Sequence, residues 1–351
     1  MTRAELAAAL AQGLPLAGAD LAGQDLRGWQ AVKPVFQDAD FSGANLAGAQ
    51  LQRPIFHNCR LAGADFSGAA LPRALFHQCT LTGAKLDQAQ MEGAALQNGD
   101  LSRASLRGTA WTKGVLMRAD LAGSDFAGAS LEFTLFVETG LVGVNFAGAG
   151  LTQTVFKDLD LSTCQLSGAT LEKTVLLGAK LAGLNLAGES LAGAQLRGAD
   201  LTDADLTGAD LNLAGFTQCR LAGAKLTGVR AARALFVGAD LTGADLSGAD
   251  LTMTNFSQAR LAGAEFSGAN LYMVQMTHSQ AAGAGFQHCE MSFADLSHAD
   301  LTGADLAGAN LTRAKLHRTI LEDAVLNGAD LGGSTGTDFD LARAEDFEPQ
   351  I

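Results

Sequence analysis

Residues 51–80 read LQRPIFHNCR LAGADFSGAA LPRALFHQCT. Leu51, Phe56, Leu61, Phe66, Leu71 and Phe76 fall at a strict interval of five. A second interval overlies the first. The outer decades share Arg, His and Cys at matching places (53 and 73, 57 and 77, 59 and 79), and the middle decade has none of the three. An amphipathic helix needs apolar residues three and four apart, and a half-buried strand needs them two apart. A spacing of five fits neither, and a period of twenty asks for four short repeats in one larger unit.

The spacing extends in both directions. Stepping by five from Leu16 reaches Leu331 without insertion or deletion, and 61 of the 64 positions are Leu, Phe, Met or Trp. The exceptions are Ala31, Ala231 and Ala281. Two residues before each centre the chain places Ala or another small residue, and all five cysteines (Cys59, Cys79, Cys164, Cys219, Cys289) belong to this class. One large and one small inward position in every five suit a coil with short extended sides, and the Gly often found two residues after a centre suits its corners.

Stretches such as ADLTGADLSGADL (239–251) resemble the A(D/N)LXX motif of the pentapeptide repeat family, and the match covers about nine tenths of the chain. The resemblance implies an all-β solenoid: a right-handed quadrilateral parallel β-helix of about sixteen coils over residues 14–333, read as one domain. Sixteen coils at about 4.8 Å per strand spacing make a rod of roughly 77 Å.

If four repeats form one coil, residues twenty apart stack. Phenylalanine tests this: 13 of the 14 Phe at centres lie on two alternate sides, eight of them in the column of Phe36, Phe56 and Phe76. Corners separate as well. The columns from Gly23 and Gly28 hold 12 and 14 glycines in 16 places, whereas the column from Lys33 holds three. That column runs Lys33, Arg53, Arg73, Gly93, Lys113, Phe133, Gln153, Lys173, and later Leu213, Arg233, Met253, Met273, Phe293, Arg313. A fourth corner carries Asp38, Asn58, Gln78, Asn98, Arg118, Glu138 and Asp158. Between the two decorated corners, the outward residue before each centre is Val35, Ile55, Leu75, Ala95, Val115, Leu135, Val155 and Val175, after which mostly polar residues return. Strand propensity accounts for branched residues. It does not account for their confinement to one side and to the first half, which points to an interaction surface with a basic rim. The chain's own tail is an alternative cover for part of it.

The ends depart from the repeat. Thr2 and Glu5 form a capping box, Leu6 and Leu10 share a helix face, and Gly13 can end the helix, so residues 1–13 read as a short N-terminal capping helix. After Leu331 the register fails, and residues 334–351 read as an acidic tail. Its Phe339, Leu341 and Phe347 either cap the last coil or belong to a disordered segment.

The net charge of −13 disfavours direct nucleic-acid binding and attraction to anionic membranes. With no signal-like start and no membrane-length apolar run, the expected compartment is cytoplasmic. Stacked His57 with His77 and His278 with His298 lack further ligands for a metal site, so no metal or cofactor is expected. Cys59 and Cys79 stack within disulfide reach, but as small buried thiols they need no bond. No nucleophile–base constellation or phosphate loop stands out, and the chain reads as a non-enzyme.

The expected function is a rigid scaffold or adaptor. It would bind a protein partner, or a second copy as a homodimer, through Lys33, Val35, Arg53, Ile55, Arg73, Leu75, Lys113, Val115, Phe133, Leu135, Val155, Lys173 and Val175. TRAELAAALAQGLPLAGADLAGQDL (2–26) looks like the lead-in of pentapeptide repeat proteins associated with bacterial type VI secretion. The alternative, implied by similarity to the quinolone-resistance members, is a DNA mimic that occupies DNA gyrase, a type II topoisomerase. The acidic run GADLTDADLTGAD (198–210) supports it.

Overall fold

A computed structural model describes Leu6 and residues 15–346. The capping helix expected at the N-terminus lies outside the described residues, apart from Leu6, which is fully buried. Among the described residues, short strands β1 (Leu16–Ala17), β2 (Gln30–Val32), β3 (Val35–Gln37), β4 (Gln50–Gln52), β5 (Ile55–His57), β6 (Leu75–His77), β7 (Ala95–Gln97), β8 (Val115–Met117) and β9 (Leu135–Val137) precede the helix α1 (Phe339–Glu345). The parallel sheet β1-β3-β5-β6-β7-β8-β9 has seven strands, and β2 pairs with β4 in a second sheet. The fold is an all-β parallel solenoid whose longest sheet passes through about six turns.

Its register is the twenty-residue period of the sequence. Phe36 pairs with Phe56 and Phe56 with Phe76. Single bridges continue the same offset, from Asp40 with Arg60 to Lys315 with Thr335. Contacts divide the chain into two compact units, one ending at Ala179 and one beginning at Lys180. Each repeats the same construction.

The five-residue pattern builds each turn. The centre points inward and its N–H donates to the next turn, as Phe41 does to the Arg60 carbonyl (2.7 Å). The minus-two residue is also buried, so each pentapeptide hides one large and one small side chain. Phe56 stacks on Phe76 with centroids 4.9 Å apart and planes 1° from parallel, and Phe216 on Phe236 at 4.7 Å. Where the small position is Thr or Cys, its side chain donates to the centre carbonyl one turn earlier: Thr134 Oγ1 to Trp111 O at 2.7 Å, Cys219 Sγ to Leu196 O at 2.8 Å. The outward Asp closes the following turn by accepting from the N–H two residues on, as Asp40 does from Ser42 (2.9 Å).

All four corner columns use left-handed backbone. Gly63 and Gly68 have φ of 64°, and the non-glycine corners match them, with Arg53 at 51° and Asn58 at 53°. A side chain in this conformation costs about 1 kcal/mol. The two decorated columns flank the seven-stranded sheet.

The tail was expected either to cap the last coil or to be disordered, and its described part contains α1. Leu316, Leu321 and Leu326 are only half-buried, Leu331 is exposed, and α1 does not cover them: Phe339 is 74% exposed and Leu341 47%. Phe347 lies outside the described residues. Asp338 caps α1 by accepting from Asp340 and Leu341 N–H at 3.0 Å. The helix buries no residue of its own and is fastened by polar contacts.

Candidate interaction surface

In the first unit, each strand of the long sheet turns its centre inward and the residues on either side outward. The faces of β3, β5, β6, β7, β8 and β9 therefore carry Val35, Ile55, Leu75, Ala95, Val115 and Leu135, and bridges extend the row to Val155 and Val175. Ile55 is 38% exposed and the other seven are half-buried against the turns above and below. The result is a continuous apolar sheet face.

The structure widens that face. The residue after each centre is outward as well, and in β8 and β9 it is Met117 and Val137. Sequence reading confined to the residue before the centre missed them, although Gln37, His57, His77, Gln97, Met117 and Val137 form a visible column. Around Leu135, Val137 and Val155 the face dips into a shallow cavity of about 340 Å³, with Glu138, Lys157 and Asp158 at its edge.

The flanking corners place Lys33, Arg53, Arg73, Lys113, Phe133 and Lys173 in one exposed column with φ between 51° and 60°. Phe133 is 55% exposed. Lys113 reaches Glu92 at 2.7 Å, and Arg118 on the opposite corner reaches Glu138 at 2.9 Å. Lys33, Arg53 and Lys173 make no ion pair among the described residues. Exposed pairs contribute little to stability.

The histidines separate into two cases. His57 and His77 stack at 5.2 Å and add polarity to the sheet face. In the second unit, His278 stacks on His298 at 4.5 Å, and His298 meets His317 edge-on at 5.2 Å. α1 adds a carboxylate. Glu345 Oε1 lies 3.3 Å from His298 Nε2, and its Oε2 lies 3.2 Å from both His317 Nε2 and Arg318 Nε. These contacts join residues 28 and 47 positions apart, which no periodicity reveals.

Two histidines and a glutamate are a donor set for zinc. The hydrogen bonding disfavours it. Asp338 N–H donates to His317 Nδ1 at 3.0 Å, so the ring proton resides on Nε2 and points at Glu345. A zinc-bound imidazole needs a free Nε2 lone pair and an acceptor beside Nδ1. Arg318 also competes for the carboxylate. The cluster is better described as a latch that holds α1, reinforced by Arg318 to Asp346 and to the Ala342 carbonyl, both at 2.6 Å.

The latch is expected to respond to pH. The hydrogen bond from His317 and then that from His298 hold the Glu345 carboxyl below its usual range, and the Arg318 hydrogen bond does the same for Asp346. Because the docked carboxyls are the more acidic, they favour docking above the ordinary carboxylate range, and that contribution is lost as pH falls through it. Once the intrinsic pH dependence of exchange is divided out, the protection of amides in α1 is expected to fall between about pH 5 and pH 3 while the protection of the sheet is retained.

The cysteines are free and buried. Burial pushes the thiols of Cys164, Cys219 and Cys289 up to about 12, far from the thiolate a nucleophile requires. Among the described residues, no helix is long and apolar enough to cross a membrane.

Two family sequence models match. The one described as "Pentapeptide repeats" matches residues 139–178, 175–212, 214–252, 245–280 and 289–328, over half of the chain, and "Pentapeptide repeat region" matches 29–106 and 54–131. No curated protein matches. Among solved structures, similarity extends to HetL, a pentapeptide repeat protein involved in heterocyst differentiation regulation from the cyanobacterium Nostoc sp. strain PCC 7120. The two are 26% identical over 78% of this chain and 91% of that one, with a TM-score of 0.20. A pentapeptide repeat protein, Rfr23, from the cyanobacterium Cyanothece 51142 is 31% identical over 28% of this chain and 63% of its own, with a TM-score of 0.22. QnrB1, a plasmid-mediated fluoroquinolone resistance protein, is 20% identical over 68% and 89%, with a TM-score of 0.24.

Proposed function

The chain belongs to the pentapeptide repeat family, and from that premise we propose that it is a non-catalytic protein-interaction scaffold. Its partner surface is the apolar sheet face of the first unit with the basic corner beside it. The observation that carries the reading is the join of two features on one side. Val35, Ile55, Leu75, Val115, Leu135, Val155 and Val175 make a contiguous apolar face, and Lys33, Arg53, Arg73, Lys113, Phe133 and Lys173 line its flank. Apolar faces with polar borders mark contact sites, and a basic edge favours an acidic protein partner through steering.

We further infer a right-handed coil with four sides per turn, about sixteen turns in all, acting in the cytoplasm. A role as an adaptor beside a type VI secretion machine rests on the lead-in at residues 2–26. A second copy is the simplest partner. A Val115→Glu, Val155→Glu double variant keeps every inward residue, so light scattering on it and on the wild type tests the face. A dimer that becomes monomeric in the variant supports self-association through the face. A monomeric wild type removes that occupant and leaves a foreign acidic partner, and a dimer unchanged by the substitutions refutes the surface.

The second reading, a DNA mimic acting on gyrase, draws on the acidity of residues 198–210. Cations interrupt that acidity in the second unit: Arg220 pairs with Asp200, Arg230 with Asp210 at 3.1 Å and Arg260 with Asp240 at 3.3 Å. Inhibition of gyrase supercoiling at low stoichiometry would favour the mimic over the scaffold.

A further inference from the structure

The later members of the Lys33 column, in the second unit, are not used by that reading. Leu213, Met253, Met273 and Phe293 are 64%, 39%, 40% and 41% exposed, and all four occupy left-handed corners with φ between 55° and 61°. Corners Gly223, Gly243, Gly263 and Gly283 show that the same unit turns with glycine elsewhere. A bulky apolar side chain here is strained and partly solvated together, so folding gains little from it. Two arginines complete the column, Arg233 (φ 59°) and Arg313 (φ 60°).

These arginines differ from their neighbours. Arg220, Arg230 and Arg260 each pair with an Asp one turn earlier, but Arg233 makes no ion pair among the described residues. Arg313 instead lies over the Phe293 ring, 5.4 Å from its centroid, and Tyr272 meets that ring edge-on at 5.8 Å. Between Leu213 and Met253 a cavity of about 500 Å³ opens beside Arg233, with Thr252 and Asp250 on its wall. Asp250 is occupied by the Thr252 N–H and hydroxyl.

We propose that this column docks an amphipathic α-helix of a partner protein, one whose apolar stripe is interspersed with acidic residues. Two arguments select that occupant. Bridges at the twenty-residue offset space the column at about 4.8 Å per turn. A helix returns a side chain to one face about every 5.4 Å, against about 6.6 Å for alternate residues of a strand and about 9 Å for a polyproline turn. Only the helix can offer one side chain per corner with a modest tilt. The charge order is complementary, because apolar corners and unpaired arginines in a chain of net charge −13 call for leucines and carboxylates in the same sequence. Methionines add the adaptability that helix-binding surfaces use.

The probe is a synthetic helical peptide of about 22 residues whose one face carries Leu, Glu, Leu, Leu, Leu, Glu at alternating spacings of three and four, made in this order and in reverse. The control has the same composition with the leucines five apart. Fluorescence anisotropy with the full chain is expected to show saturable binding of one in-phase peptide. A Met253→Gly, Met273→Gly, Phe293→Gly variant is expected to weaken it at least tenfold without lowering the thermal midpoint, because glycine suits these corners. An Arg233→Glu, Arg313→Glu variant should lose binding and regain it when the peptide's Glu residues become Lys. In-phase peptides that bind no better than the control, or equally to the triple-glycine variant, overturn the proposal. Wild-type self-association abolished by the glycine substitutions overturns it too, by assigning the column to a second copy. The face tested by Val115→Glu and Val155→Glu lies in the other unit, so the two readings fail independently.

Discussion

Replacing Phe56 with Ala is expected to destabilise the first unit by about 3–5 kcal/mol, the range for emptying a buried aromatic site. Phe56 is fully buried and touches four rings. It stacks on Phe36 at 5.0 Å and on Phe76 at 4.9 Å, and meets Phe41 and Phe66 edge-on at 5.7 and 6.2 Å. The turns above and below are held by their own backbone ladders, so they cannot collapse into the space. Repeat arrays unfold segment by segment, and denaturant-dependent amide exchange is the suitable readout. The loss should concentrate in β3, β5 and β6. A loss below about 1 kcal/mol, the scale of a surface change, would mean that these rings do not share one column.

A second large effect is expected at Gly114. This minus-two position normally holds Ala, but here the indole of Trp111 fills the small site as well as its own, with Nε1 donating to the Ala94 carbonyl at 3.0 Å. A Cβ added to Gly114 would land on the Trp111 ring. Gly114→Ala is therefore expected to cost about 2–3 kcal/mol by overpacking. A Trp111→Leu, Gly114→Ala double variant restores the ordinary Leu and Ala pair and should recover most of the loss in thermal or denaturant unfolding. Equal stability of Gly114→Ala and the wild type would refute the size exchange.

The core was legible because the chain writes it in a fixed spacing. Leu and Phe every five residues, a small residue at minus two, and Phe56 over Phe76 at twenty are statements about which atoms point inward, and the backbone has one economical way to satisfy them. The sheet face was legible in part. Val115 and Val155 stood out against polar residues on the other sides, whereas Met117 and Val137 did not, because their column is otherwise polar, with Gln37, His57, His77 and Gln97 in the turns before them. The choice of Trp111 with Gly114 is a local exchange of volume that breaks no period.

The tail was the least legible. Phe339 and Leu341 left a cap and a disordered segment both open, and α1 is fastened by His317, His298 and Arg318 gripping Glu345 and Asp346. Those contacts depend on where the chain returns after its register ends. A periodic pattern carries no information about that return.

The solenoid requires residues twenty apart to lie one turn apart. Electron-spin distances test this within the first unit, using labels on exposed corner cysteines, since the native thiols are buried. An Arg53→Cys, Gln153→Cys pair spans five turns and an Arg53→Cys, Lys173→Cys pair spans six, which predicts narrow distributions near about 24 and 29 Å. A difference of about one strand spacing between the two supports the stack. Broad distributions, or a separation that does not grow by about 5 Å with the added turn, would contradict it.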